Sequence, residues 1–185
     1  MIDNLCDQAK ENDLAIAWLY CDFLAHKEQS ATAMLGAILR QLVSVREIPE
    51  DIRQRFRKRF PDQGLRLSDV VGMLKTAISL LPPVYICIDA LDESIPNSRQ
   101  ELLGSLRDIV RESPSARVLF TGRSHVVDEV KKCFAEAIIV PVSPTENDIR
   151  VYLGVRLDKD PEPTAIDNRL RRDIVRIILE TISDV

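Results

Sequence analysis

The stretch Val84-Tyr85-Ile86-Cys87-Ile88-Asp89-Ala90-Leu91-Asp92-Glu93 decides the fold of this 185-residue chain. Its apolar half follows the Pro82-Pro83 pair and ends at an acidic cluster, which is typical of a strand buried on both faces of a parallel sheet. Ligands of such sheets bind beyond the carboxyl ends of the strands. We therefore expect Asp89, Asp92 and Glu93 to lie at the ligand-binding edge.

Further apolar runs on both sides predict alternating strands and helices. Residues 14–21 form a continuous apolar run typical of a strand covered on both faces, and residues 117–121 and 137–142 predict a third and a fourth strand. Apolar residues at helical spacing predict helices over 1–12, 30–44, 49–60, 68–81, 98–112, 126–134, around 149–155, and over 166–182. This alternation favours an α/β fold with a doubly wound parallel sheet.

Composition and charge narrow the function classes. With 25 Lys and Arg against 29 Asp and Glu, the formal net charge is −4, so we expect no specific nucleic-acid partner. We interpret the basic run 53–60 as a solvated helix face. No apolar run is long enough to span a membrane and residues 1–7 lack the pattern of a secretory signal, which predicts a cytoplasmic protein with no membrane partner. Four cysteines without CxxC spacing predict reduced, mostly buried thiols.

The acidic cluster after the second apolar run carries a chemical prediction. A carboxylate at the end of a strand, here Asp89, suits Mg²⁺ because that ion prefers oxygen ligands. A second carboxylate nearby, Asp92 or Glu93, can orient or deprotonate an attacking water. This is the Walker B arrangement, and the alternative is an acidic strand-to-helix loop with no such role.

A cation follows the next predicted strand, where the chain reads Thr121-Gly122-Arg123. The planar guanidinium of an arginine pairs with a phosphate through two hydrogen bonds, which a lysine does less well. Arg123 is therefore a candidate phosphate sensor, with an ordinary surface arginine as the alternative.

These motifs resemble the NACHT subgroup of STAND P-loop NTPases, particularly the fungal NOD-like and nephrocystin-like N-terminal type. The resemblance rests on residues 16–23, 84–93 and 117–123, while residues 144–149 resemble the beginning of the helical lid that follows the NTPase core. It divides the chain into a partial NACHT core, 1–143, and the start of a lid domain, 144–185.

What the resemblance implies is a nucleotide switch that controls oligomerisation. In it Asp89 coordinates Mg²⁺, Asp92 or Glu93 activates water, and Arg123 senses the γ-phosphate of ATP or GTP. The implied partners are other domains of a longer chain and further copies of the protein.

One departure from the family pattern matters most: the sequence contains no GxxxxGK[ST] phosphate-binding loop. Residues 1–12 resemble the tail of the helix that starts inside that loop, so we expect an N-terminally truncated core that lacks its P-loop strand. The strand at 137–142 should then lose a neighbour, nucleotide binding should be weak or absent, and whether the chain is an enzyme stays open.

Two alternatives remain beside this hypothesis. The first is a non-catalytic α/β interaction scaffold. The second is a receiver-like domain that binds Mg²⁺ and accepts a phosphoryl group on Asp89, which the helical insertion at 30–81 and the helices after residue 142 disfavour.

Overall fold

A computed structural model describes residues 13–24, 29–45, 66–159 and 166–183. The helices predicted over 1–12 and 49–60, together with the basic run 53–60, lie outside the described residues. Within the described ranges no helix has both the length and the apolar composition needed to cross a bilayer.

A parallel three-stranded sheet forms the centre of the fold. Its strands are β1 (Ala15–Tyr20), β2 (Val84–Asp89) and β3 (Ala116–Phe120), in the order β1-β2-β3. The register places Ala15 beside Val84 and Val84 beside Ala116, so the three strands end at the same edge. The α/β class and the first three predicted strands are confirmed.

Six α-helices accompany this sheet in the described ranges. They are α1 (Ala31–Val45), α2 (Leu67–Ser79), α3 (Pro96–Glu112), α4 (Val127–Cys133), α5 (Glu146–Asp158) and α6 (Asn168–Ser183). Short 3-10 turns, Leu91–Glu93 and Ser124–Val126, follow β2 and precede α4. Each helix matches a predicted one, with boundaries shifted by a few residues.

The hydrophobic core lies between the sheet and one layer of helices. α1 packs on β1, α3 packs on β3, and α1, α2 and α3 contact one another. Both layers contribute fully buried side chains: Ala17, Ile86 and Ile88 from the sheet, and Leu35, Leu42, Leu74, Leu102 and Leu106 from the helices. Each buried aliphatic side chain of this size contributes roughly 1.5–3 kcal/mol, so this layer dominates the stability.

The opposite face of the sheet departs from the expectation of strands buried on both faces. Ile16 and Cys87 are buried there, but Trp18, Tyr20 and Tyr85 are exposed. The reason is that the helices packed on the sheet in the described ranges lie on one side of it. The second helical layer that a doubly wound sheet requires is not among the described residues.

The fourth strand predicted over 137–142 is wrong. These residues adopt no regular structure, and Ile138, Val140 and Val142 are exposed. A strand is stabilised by pairing with a neighbour, and this run pairs with none of the described strands. Pro141 also lacks the N–H that a ladder hydrogen bond needs.

The chain divides into two compact units, Met1–Ala137 and Ile138–Val185. In the second unit, α5 begins with a reciprocal cap: the Thr145 hydroxyl accepts from the Asp148 N–H, and the Asp148 carboxylate accepts from the Thr145 N–H. Arg171 of α6 holds α5 through an ion pair of 2.7 Å with Asp158.

Two of the cysteines, Cys21 and Cys87, are buried thiols that form no disulfide among the described residues, as predicted. Cys133 is a half-buried free thiol. Cys6 lies outside the described residues.

Candidate functional site

Thr121 joins the ends of two neighbouring strands at the carboxyl edge of the sheet. Its hydroxyl donates to Oδ1 of Asp89 and accepts a 3.0 Å hydrogen bond from the N–H of Ala90. Its backbone N–H donates to the carbonyl of Ile88, and its carbonyl accepts from the N–H of Leu91, both at 2.9 Å. Asp89 is therefore held at a fixed place on this edge.

A tight turn carries the chain from β2 into the acidic cluster. Ala90 lies in the left-handed region, at φ 54° and ψ 45°, although it has a side chain. This conformation reverses the chain directly after Asp89 and starts the 3-10 turn Leu91–Glu93. As a result, Asp92 turns toward the loop that follows β3.

Asp92 and Arg123 form an ion pair at this edge. Oδ1 of Asp92 accepts from the backbone N–H of Arg123 at 3.2 Å, and Oδ2 lies 3.4 Å from the Arg123 Nε. The Asp92 side chain is 9% exposed, whereas that of Arg123 is 79% exposed. The carboxylate is thus nearly enclosed, while its guanidinium partner faces solvent.

Gly122 permits the close approach of Asp92 to the β3 loop. A Cβ at this position would lie 3.1 Å from Cγ2 of Val126 and 3.3 Å from Oδ1 of Asp92. These contacts are tighter than ordinary packing, so a glycine fits here with the least disturbance.

The remaining polar residues of the edge hold the loop after β1. Oε2 of Glu93 accepts from the N–H of Phe23 at 3.2 Å, and Oδ1 of Asp22 accepts from the N–H of Leu24 at 2.8 Å. Glu93 and Asp22 therefore bind backbone groups of this loop.

A buried polar layer lies beneath the acidic turn. Arg99 of α3 is 5% exposed; its Nε and Nη2 donate to both carboxylate oxygens of Glu129, at 2.8 and 2.9 Å, and its Nη1 donates to the Ser94 carbonyl at 2.7 Å. The hydrogen bonds between Arg99 and Glu129 lower the pKa of the Glu129 carboxyl and raise that of the Arg99 guanidinium.

Cys21 lies in the same layer. Burial raises the pKa of its thiol to about 11, although a hydrogen bond with Ser94 acts in the opposite direction. That thiol stays protonated at neutral pH.

The carboxylates at this edge could hold a metal ion only together with further ligands. Among the described residues, no group of three His, Cys, Asp or Glu side chains is placed to hold a metal by itself. Mg²⁺, however, commonly takes one or two carboxylates and completes its shell with water and substrate phosphates. Asp89 supplies one such carboxylate, and its Oδ1 accepts from the Thr121 hydroxyl.

The structure brings all four predicted site residues to one edge of the sheet. Asp89 connects to the β3 loop through Thr121, Asp92 pairs directly with Arg123, and Glu93 contacts the β1 loop. Their chemical roles remain predictions.

Sequence reasoning missed two residues that shape this edge. The sequence pattern marks Thr121 only as the end of a strand, although a hydroxyl at a strand end can bind a carboxylate at the end of the neighbouring parallel strand. No sequence signal marked Arg99 as buried, because the same helical pattern accommodates an exposed arginine equally well.

Comparisons with known proteins indicate the family of this chain. A search of curated proteins finds no match to the chain. The family model described as nephrocystin 3, N-terminal, matches residues 1–123 of the 185, a range that includes every predicted site residue. The chain therefore belongs to the nephrocystin-3 N-terminal domain family.

Proposed function

We propose that this chain supplies the magnesium and sensor half of a NACHT-type, nucleotide-dependent switch with the P-loop NTPase fold. One observation carries the proposal: Asp89 bound by Thr121, and Asp92 paired with Arg123, at the shared carboxyl edge of neighbouring parallel strands. A strand-end carboxylate and a cation just after the next strand are two of the parts from which a site for a Mg²⁺-bound triphosphate is built.

Asp89 is the residue that would hold Mg²⁺. Mg²⁺ would neutralise the charge that develops on the phosphates during transfer. The hydroxyl of Thr121 fixes the rotamer of Asp89, so the second carboxylate oxygen stays directed at a constant place.

Asp92 and Arg123 form the switching pair of the proposal. Arg123 is solvent-exposed and held by a 3.4 Å contact, a weak surface interaction. It can turn from Asp92 to a phosphate oxygen at the same edge. Asp92 then loses its counter-charge and becomes available to accept a proton from water, a role that Glu93 shares by position.

The proposal gives different roles to residues 1–143 and residues 144–185. Residues 1–143 act as the core and 144–185 as the start of a lid, in a cytoplasmic protein whose partners are further domains and further copies. The exposed apolar side chains Trp18, Tyr20 and Tyr85 lie on the face of the sheet that no described helix covers, where such a partner would pack.

Calorimetry with Mg-ATP and Mg-GTP tests the proposal on two proteins. The 185-residue chain contains no GxxxxGK[ST], and we expect no low-micromolar binding by it. A longer protein in which a strand–GxxxxGK[ST]–helix segment precedes this sequence should bind one of the two nucleotides in the presence of Mg²⁺.

The decisive variant in the longer protein is Asp89→Asn, with Asp108→Asn as the matched control, because Asp108 is a half-exposed carboxylate of α3 that pairs with its neighbour Arg107. We expect Asp89→Asn to weaken Mg²⁺-dependent binding at least tenfold and Asp108→Asn to leave it unchanged. Equal binding by the two variants would contradict the role of Asp89, and low-micromolar binding by the 185-residue chain would contradict the need for a phosphate loop.

A non-catalytic scaffold is the second candidate, favoured by one observation. The carboxylates of Asp92 and Glu93 are already bound by groups of the chain itself, as in a structural loop. A longer protein that folds but binds neither nucleotide supports this candidate over the switch.

A further inference from the structure

Arg99 is a buried charged residue in the first turn of α3. Burying a guanidinium is costly unless its donors are paired. Three of its hydrogen bonds are accounted for, two to the Glu129 carboxylate and one to the Ser94 carbonyl, all between 2.7 and 2.9 Å. The arrangement is a bidentate fork on Glu129 with a third contact from Nη1 to Ser94.

These contacts reach the two segments that carry Asp92 and Arg123. Ser94 ends the 3-10 turn that contains Asp92: its hydroxyl donates to the Leu91 carbonyl at 2.6 Å and its N–H donates to the same oxygen at 3.2 Å. A shift of Ser94 therefore moves the turn as a whole.

Glu129 provides the connection on the other side. It belongs to the first turn of α4, and α4 continues directly from the 3-10 turn Ser124–Val126 that begins after Arg123. Arg99 thus spans from the end of the Asp92 turn to the helix that continues the Arg123 loop.

The guanidinium of this ion pair is buried while its carboxylate is partly exposed, and such a pair is weak evidence for a role in stability alone. Apolar side chains of similar volume commonly replace such pairs at no loss of stability. What they cannot replace is the fixed geometry of a planar fork that binds two segments at once.

We propose that Arg99 is a positioning residue: it sets the spacing between the Asp92 turn and the Arg123 loop, and so maintains the Asp92–Arg123 pair. The inference relies on the proposed function for what this edge does. The coupling itself is a property of the folded chain without nucleotide.

Amide hydrogen exchange, measured by NMR on the 185-residue chain, tests the coupling. The reporters are the N–H of Arg123, which donates to Asp92, and the N–H of Leu91, which donates to Thr121. The reference is the N–H of Ala15, which donates to Pro83 at the far end of the sheet.

Arg99→Met should raise exchange at both reporters at least tenfold relative to the reference. Arg99→Lys should restore part of the protection, because one ammonium group cannot reach all three acceptors in the geometry of the fork. Arg107→Met, the same change at an exposed position of α3, should alter neither ratio.

A purely structural role gives a different result, since global destabilisation raises exchange at the reporters and the reference together. Unchanged ratios in Arg99→Met would overturn the proposal. If Arg99→Met does not fold, Glu129→Gln takes its place. Glu129 is 37% exposed, and the amide of the introduced glutamine keeps part of the contact with Arg99, so we expect about a threefold rise in exchange at the reporters relative to the reference. No rise would count equally against the proposal.

The outcome is independent of whether the nucleotide switch is correct. No nucleotide enters the exchange measurement, so a failure of Mg-ATP binding in the longer protein does not contradict the coupling.

In a longer protein that does hydrolyse nucleotide, Arg99→Lys should lower kcat without changing the Kd for Mg-ATP. A structural defect would change both.

Discussion

Ala90 has an unusual backbone conformation for its side chain. A residue with a Cβ at φ 54° is strained by contact with the following carbonyl oxygen, at a cost of roughly 1–2 kcal/mol. This strained residue lies where the chain reverses between Asp89 and Asp92. Strain at such a place is a frequent mark of a functional turn.

The first prediction concerns this residue. Ala90→Gly should stabilise the fold by about 0.5–1 kcal/mol, because relief of the left-handed strain exceeds the roughly 0.5–1 kcal/mol that glycine costs in backbone entropy. Urea denaturation measures the change. Ala33→Gly, at an exposed position inside α1, should have the opposite sign, about 1 kcal/mol of destabilisation. A loss of stability in Ala90→Gly would mean that Ala90 packs better than its strain costs.

The second prediction concerns the close contact at Gly122. Gly122→Ala should destabilise the fold by about 1–2 kcal/mol, since the new methyl group lies too close to Val126 and Asp92 and one of them must shift. Gly104→Ala is the matched control: its Cβ meets nothing within 4 Å inside α3, so it should stabilise by about 1 kcal/mol. Both values come from urea unfolding, and a neutral Gly122→Ala would show that the loop yields easily.

At the scale of elements, the contact between α3 and α4 depends on the charge of Glu129. Hydrogen bonds from Arg99 lower the pKa of this carboxyl below its usual 4.5. A carboxyl with a lowered folded-state pKa contributes stability that is fully present above the unfolded-state pKa. That contribution is lost as the pH falls through the folded-state value.

The third prediction is the resulting pH dependence. Between pH 6 and pH 3 the wild-type chain should lose stability more steeply than Glu129→Gln, so the difference between their urea midpoints shrinks as the pH falls below about 4.5. Glu101→Gln, an exposed change on α3, should follow the wild-type curve. Parallel curves for wild type and Glu129→Gln would show that the ion pair contributes nothing to acid stability.

The elements that were predicted correctly carry their signal locally. β1, β2 and β3 are mainly apolar runs bounded by polar residues or prolines, and α1 to α3 show one apolar stripe each. The pattern was sufficient to place these elements, although it predicted more burial on one face of the sheet than the structure shows. The gathering of Asp89, Asp92 and Arg123 also followed from sequence, because parallel strands share a carboxyl edge.

The parts that sequence missed depend on partners distant along the chain. The run 137–142 has the composition of a strand, but pairing decides whether a strand forms, and composition does not reveal a neighbour. The burial of Arg99 likewise depends on Glu129, which lies 30 residues away. Local pattern gives no sign of such a pair.

For the molecule as a whole, the division into two units has a consequence for proteolysis. Residues 138–145, which precede α5, are exposed and adopt no regular structure. The core that α1, α2 and α3 form with the sheet belongs to the first unit. A protease needs an accessible, extended segment, and this one also offers the apolar side chains that thermolysin prefers.

The fourth prediction is that, among the described residues, brief thermolysin treatment cleaves first within 138–145, with mass spectrometry locating the cut. A fragment ending there should keep the urea midpoint of the whole chain, because it retains the core between the sheet and its helices. Replacing Ile138 and Ile139 by serine should slow this cut without changing the midpoint, since both side chains are exposed. Early cleavage inside β1–β3 or α1–α3 would show that the sheet unit opens more readily than its buried core implies.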